Sequence, residues 1–501
     1  MSAPGMVFLA RDESAPLPLP LPVQVARLTW GLPGGARRAQ VQAPLPPTWS
    51  PRQAAEWGET LLRCPLTVLD EAGDPCWWGY VHGVQVLAGR VGYRLGLDDL
   101  ANRVAAAYRL HAPPQDWVGE PQQTPWVEDA RSQALWGVKE RLLDVGVSTA
   151  AQAQAVCAAV LRQSAAPPAR AVTLPTAVPP RIVLEGRGWW ETLTWVHVPH
   201  DLAFEGFTIP ADALQSLGRS STETYVAQSF RVESGPQRLA AAAFHGGMIG
   251  SPTDGLTLSL CQDAGGIPGA VLASAALPAD QVYSGRAWLR FAFSPPPLLQ
   301  PQVTYWLRLG RNGALTSAAY YRFSVDDTNP YPRGQCLVLN GGTWTARAGG
   351  LGDCLFYLSA AASPAERLTG WLSGAAGQFL RRLDLRASLA AAPPWPQDGL
   401  RTCAAAIQGL LEAGSEAGDA LTAVVTAERA LVIAPLPAAE AGAAVAVDGQ
   451  GRLVTPEGAP WPLSRAALGE WARLGGDWPP QPLRLTHLAW TPARGLHLTD
   501  L

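Results

Sequence analysis

Between residues 206 and 360 the chain carries nine short β-type segments, each closed by Gly, Pro, Asn or Asp, and no long run of helical spacing. Few folds accept that pattern other than a β-sandwich or jelly roll. The segments are TYVAQSFRV, RLAAAAFHGG, LTLSLCQD, AVLASAAL, RAWLRFAF, TYWLRLGR, AAYYRFSV, QCLVLNGG and CLFYLSA. Alternation in AWLRF and TYWLRL sends part of their bulk inward and supplies a core.

The flanks read differently. A Pro-Gly-Gly turn splits residues 20–44 into two period-two runs, which predicts a hairpin. Ser50, Pro51 and Gln53 spell a cap, a first-turn proline and a capping-box partner for a helix over 51–64. Strands follow through PLTVLDEAGDPCWWGYVHGVQVLAGRVGYRLG, with GDP and AGR as turns. EDARSQALWGVKERLLDVG has helical spacing ending at Gly146, and Thr149 with Gln152 opens a second helix that packs beside it. Pro-bounded β runs lead up to the sandwich. After it, Ser363, Pro364 and Glu366 cap another helix, QDGLRTCAAAIQGLLEAG predicts one ending at Gly414, and TAVVTAERALVIAP and AVAVDGQGRLVTPEG are strand pairs, the second turned at Asp448 and Gly449.

Mixed texture on both sides makes the central segment an insertion in one parent unit, and loop tips accept such insertions. The expected division is 1–112, an N-terminal β domain with one helix; 113–205, a helical pair with strands; 206–360, the inserted sandwich; and 361–501, the α+β remainder of the parent. The fold class is thus α+β and β-rich, with short helices and an inserted antiparallel β-sandwich.

Composition narrows the function. Charged residues make up 16% of the chain, against about 25% in average proteins, and 20 Trp supply material for cores and interfaces. A net charge of −3 offers no global basic field, so nucleic acid is not an expected partner. Neither a signal-peptide pattern nor a membrane-spanning apolar run is read. Seven scattered cysteines without a CxxC pair are expected to be buried thiols, Cys336 and Cys354 being the one pair placed to flank a hairpin.

His197, His200 and Asp201 in HVPHD have metal-ligating side chains, but Pro199 breaks a helical HxxH face and no second ligand cluster closes a site, so loop histidines are expected. Asp326, Asp327 and Asn329 carry oxygens suited to calcium, yet lack EF-hand spacing and read as an Asx-rich turn. Glu185, Glu191 and Asp201 are carboxylates with nothing to fix the separation that glycoside hydrolysis needs. GxSxG, HExxH and P-loop patterns are absent from the sequence. A non-enzyme without metal or cofactor is expected. Among the insertion's aromatics, Tyr331 and Trp344 lie beside turn residues and are the expected exposed pair, hence the candidate carbohydrate-binding residues.

CWWGYVHGVQ, GYRLGLDDLANRV, ARSQALWGVKE and LEGRGWWETLTWVH, followed after the insertion by LLEAGSEAGDALTAVVTAERALVIAP, occur in an order that resembles the central hub proteins of phage tail tips and baseplates. The insertion is similar to jelly-roll accessory modules, many of which bind carbohydrate. The resemblance implies hub-like β-barrel domains, a homotrimeric ring joining tail tube to tip, tail-tube and baseplate proteins as partners, and a virion tail-tip location after synthesis in the host cytoplasm. It also places the Trp189–Trp190 pair in a strand core, and it leaves host-surface glycan as a partner for the insertion. The alternative reading is a glycan-binding or glycan-cleaving surface protein.

Overall fold

The computed structural model describes residues 5–18, 20–112, 117–199, 203–208, 213–221, 223–233, 235–282, 284–347, 352–391, 400–436, 445–448, 450, 452–455, 459, 461, 471–474 and 482–498. The fold is α+β and β-rich, with several mainly antiparallel sheets.

The first part of the chain supplies β1 (Gly5–Phe8), β2 (Gln24–Gly31), β3 (Gly34–Pro44), α1 (Pro51–Leu61), β4 (Pro65–Leu69) and β5 (Pro75–Gly96). It continues with β6 (Arg103–Ala112), β7 (Trp117–Gln123), β8 (Val127–Glu128), α2 (Ala130–Trp136), β9 (Glu140–Ser148), α3 (Ala150–Ser164) and β10 (Ala169–Arg187). An eleven-stranded parent sheet runs β1, β4, β5, β10, β3, β2, then His487–Thr491 and Gly495–Leu498. Its remaining strands also come from beyond the insertion. Val424 and Val425 pair with Gly34 and Gly35 of β3, and Leu421–Val425 pairs in turn with Ala430–Pro435. One sheet is therefore woven from both flanks of the central segment.

The sequence-predicted caps form as written. Ser50 and Gln53, Thr149 and Gln152, and Ser363 and Glu366 each make a reciprocal capping box, opening α1, α3 and α4 (Pro364–Ser373). The helix α5 (Cys403–Ala413) stops at Gly414 as expected.

Two local expectations fail. The helix expected to reach Gly146 ends at Trp136, because Gly137 takes φ +83 and a Cβ there would lie 2.3 Å from the Phe379 ring. The chain beyond it becomes β9, drawn into parallel pairing with β6, so the first helix of the expected pair is cut short while its Ser132 hydroxyl donates to the Ala165 carbonyl at the end of α3. AGR is not a hairpin turn either: β5 runs through Gly89 at φ +62, and the irregularity is absorbed as a register shift against β10.

The central segment is a sandwich of an eight-stranded and a six-stranded sheet, and all nine expected segments are strands in it. Leu256, Leu258 and Leu260 alternate inward from one sheet and Phe244, Phe291, Phe323 and Phe356 from the other. Its buried core draws on Phe207–Leu358, whereas the parent core draws on Phe8–Val198 and Leu368–Leu496. Ala203–Phe207 pairs antiparallel with Phe356–Ala360, so the chain enters and leaves the sandwich on neighbouring strands.

The parent core is knotted by aromatics. Trp189 and Trp195 flank Tyr80 at ring-centroid distances of 5.2 and 5.7 Å, and Phe379 closes on both at 5.8 and 5.6 Å. Trp189 and Trp190 are core residues, although a 3-10 turn over Trp189–Thr194 carries them rather than a strand.

Separate cores predict separate melting. Excised residues 203–360 should unfold in one cooperative transition, and joining Pro199 to Ala361 through a short linker should leave the parent folded. Phe379→Ala should lower the parent transition by about 3–5 kcal/mol in a denaturant titration and leave the sandwich transition in place. A single merged transition that shifts as a whole would contradict both.

Candidate functional site

β2, β3 and β10 lie side by side, and their register stacks chemistry on one face. Thr29 pairs with Arg38, which pairs with Arg187; two residues along, Arg27 pairs with Gln40, which pairs with Glu185. Side chains alternate along a strand, so these six share the solvent face while Leu28, Ala39, Val41 and Leu184 point into the core. Arg37 reaches in from the start of β3 and Arg94 from β5. Together they wall an open cleft of about 690 Å³ that holds five arginines, one glutamate and His487.

Two of the five arginines are tied to carboxylates. Arg94 lies 3.4 Å from both Asp98 and Glu185, and Arg187 lies 3.9 Å from Asp98. Gln85 donates to Glu185 at 2.6 Å. Asp98 is itself anchored by the buried His82, whose Nε2 lies 2.8 Å from its Oδ1. That hydrogen bond, helped by the charges of His82, Arg187 and Lys139, holds the Asp98 carboxyl well below its usual range. Lys139 donates to the carbonyls of Leu97 and Asp98, and burial pulls its ammonium down to about 8.

The other three have no carboxylate partner: among the described residues none lies in ion-pair range of Arg27, Arg37 or Arg38. Arg37 donates through Nη2 to the Pro33 carbonyl at 2.7 Å, but its buried Nε has no partner there. Burial lowers the Arg37 pKa, Glu191 opposes that shift and Arg38 adds to it. Arg38 and Arg187 stand directly opposite each other, an arrangement that like charges disfavour.

The residues singled out from sequence do not assemble into a site. Tyr331 is not exposed as expected: at 3% exposure it belongs to the sandwich core, edge-on to Phe356 at 5.2 Å, with its N–H donating to Asp353 Oδ2 at 3.0 Å. Asp353 is buried and also accepts from Gln228 at 2.8 Å, so a polar network pulls the Tyr331 turn inward. Trp344 is half-buried, opposite Leu339 in an edge hairpin, and packs on the small cluster of Trp306, Cys261, Leu337 and Ala227. The two aromatics thus share no surface.

His197 bonds through both its N–H and Nδ1 to Glu140 Oε2, at 2.6 and 3.1 Å, while His200 and Asp201 lie outside the described residues. Asp326 accepts from Thr328 N at 2.7 Å in an Asx turn and Asp327 pairs with Arg347. Glu185 belongs to the cleft; Glu191 lies in the first turn of the 3-10 segment. Cys336 and Cys354 meet in the core as thiols with sulfurs 3.4 Å apart. Among the described residues no group of three or more His, Cys, Asp and Glu is placed to hold a metal, and no helix is long and apolar enough to cross a membrane.

The class these features define is a β-framework protein with an arginine-lined cleft on its parent sheet and a separate sandwich. No protein-family model matches the chain, and no curated protein does. Likenesses among solved structures are slight. A glycoside hydrolase family 43 arabinoxylan arabinofuranohydrolase from Bacillus subtilis is 10% identical with a TM-score of 0.16, over 57% of this chain and 63% of that one. The Cry4Aa toxin from Bacillus thuringiensis is 8% identical with a TM-score of 0.16, over 61% of this chain and 52% of that one. This chain therefore spans less than two thirds of either, and neither likeness bears on its function.

The Asp98 anchor has a pH signature. A carboxyl whose folded pKa lies below its unfolded value of 3.8 contributes stability that is present above that pH and lost as pH falls below it. The wild type should lose stability progressively below about pH 4, and Asp98→Asn should be less stable at pH 7 with a shallower acid limb in thermal melts. Parallel acid limbs would remove Asp98 as the anchor.

Proposed function

We propose that this chain is a structural, non-catalytic protein of the tail tip or baseplate of a phage or phage-derived tail. In this reading the parent domain forms a homotrimeric ring that joins the tail tube to the tip, and the sandwich is carried on its outside. The supporting observation is the weave of the parent sheet. Strands from before and after the insertion pair in one sheet, and His197–Val198 clasps Arg401–Thr402 beside the point where the sandwich departs. A continuous framework with a module hung from one neck suits a load-bearing ring that displays an accessory domain. The order of the hub-like motifs supplies the rest, and the low charge and abundant Trp suit buried subunit contacts.

The glycan-binding reading now rests on Trp344 without Tyr331. Stacking on a sugar face is worth little per copy, and three copies on a ring would add avidity.

Solution mass measurement of the full chain, alone and with neighbouring tail-tube and baseplate proteins, tests assembly. A trimer or a ring in negative-stain images is expected; a persistent monomer under both conditions overturns the tail-tip reading. On a glycan array, Trp344→Ala in the assembled protein should abolish any signal that the wild type gives.

A further inference from the structure

We propose that the arginine-lined cleft across β2, β3, β10 and β5 is a binding site for a phosphorylated ligand, recognised through its doubly charged phosphate group or a run of phosphates. This goes beyond the assembly role and does not depend on it.

Charge matching selects the ligand class. Arg27, Arg37 and Arg38 face one cleft, and none has a carboxylate in ion-pair range among the described residues. A carboxylate offers two oxygens and one charge and is satisfied by a single guanidinium fork. Three guanidiniums without a carboxylate in ion-pair range call for more oxygens and more charge, which a phosphate dianion or a pyrophosphate provides. Arginine also suits this task because its planar fork meets phosphate oxygens in pairs.

A cost within the cleft points the same way. Arg38 opposes Arg187 across β3 and β10, and an anion between them turns that repulsion into two charge-assisted hydrogen bonds. Preorganisation is visible as well. Asp98, held by His82, fixes Arg94 and Arg187, so these two side chains lose little freedom when a ligand arrives. A volume of about 690 Å³ suits a ligand larger than a lone ion.

The test is calorimetric titration of the full chain with inorganic pyrophosphate, with citrate as the polycarboxylate control. Saturable binding of pyrophosphate, weaker binding of citrate and a fall in affinity of about tenfold or more in Arg27→Gln/Arg38→Gln are expected. Both arginines are exposed, so the double variant should melt like the wild type without ligand. Arg52→Gln, on the exposed face of α1, should bind like the wild type. Competition by poly(glycerol phosphate) would assign the site to a phosphorylated surface polymer, and its failure to compete would assign it to a small phosphorylated molecule; both support the proposal. Equal affinity for citrate, unchanged binding by the double variant, or duplex DNA binding that pyrophosphate does not displace would each overturn it.

Discussion

Phe379 packing onto Trp189 and Trp195 is the contact that makes one domain out of two distant stretches of chain. The tryptophans precede the sandwich and flank Tyr80 of β5, and the phenylalanine follows the sandwich and closes on both tryptophans. An aromatic of this size buries ~150–250 Å², which at ~25 cal/mol per Å² gives about 4–6 kcal/mol each as an upper bound. Polar contacts reinforce the same seam. Gln378 donates to the Val138 carbonyl at 2.8 Å and accepts from Val138 N at 2.7 Å, while Trp78 donates to the Val425 carbonyl at 2.7 Å. Buried Arg429 lies 4.0 Å over the Trp189 ring and pairs with Glu13, drawing the N-terminal segment into the seam.

Such a seam tolerates an insertion for an entropic reason. Closing an unstructured loop costs more as it lengthens, though only logarithmically. Here even that cost is largely removed, because the first and last strands of the sandwich pair with each other, Ala203 against Ser359 and Phe207 against Phe356. The folded module presents its two ends side by side, and the parent closes a short gap. The clasp of His197 with Thr402 then ties the parent on its own side of the neck.

What the sequence made legible was local chemistry. A capping box is decided within four residues, so Ser50, Thr149 and Ser363 could be read directly. The strands of the sandwich were legible because alternation and turn residues lie within each segment. The end of α2 was not, since it is imposed by Phe379 crowding Gly137 from far along the chain and by β6 offering a parallel partner. Tyr331 sits beside a turn, as exposed residues do, but the buried carboxylate of Asp353 that turns it inward comes from a strand further along the chain that pairs with Tyr320–Asp326. The cleft escaped for a different reason. Net charge averages over the whole chain, whereas Arg27, Arg38 and Arg187 are gathered by strand register. The visible signal was the spacing of Arg27, Arg37 and Arg38 around one predicted hairpin, and only the pairing of β3 with β10 brings Arg187 beside them.

The aromatic seam and the arginine cleft are linked through the same strands. β3 and β10 send Ala39, Val41 and Leu184 into the parent core and carry Arg38, Gln40, Glu185 and Arg187 on the opposite face. Their spacing is fixed by ladder hydrogen bonds and by the core beneath, so the cleft cannot relax its charges by drifting apart. Only side-chain motion remains, and Asp98 restrains two of the five arginines. A flexible loop bearing the same arginines would splay them into solvent and shed the repulsion. On this sheet the repulsion is retained until an anion arrives, which makes affinity a property of the parent fold as much as of the arginines. Weakening the seam from the core side should therefore loosen the cleft as well, even though no side chain of the aromatic node lines it.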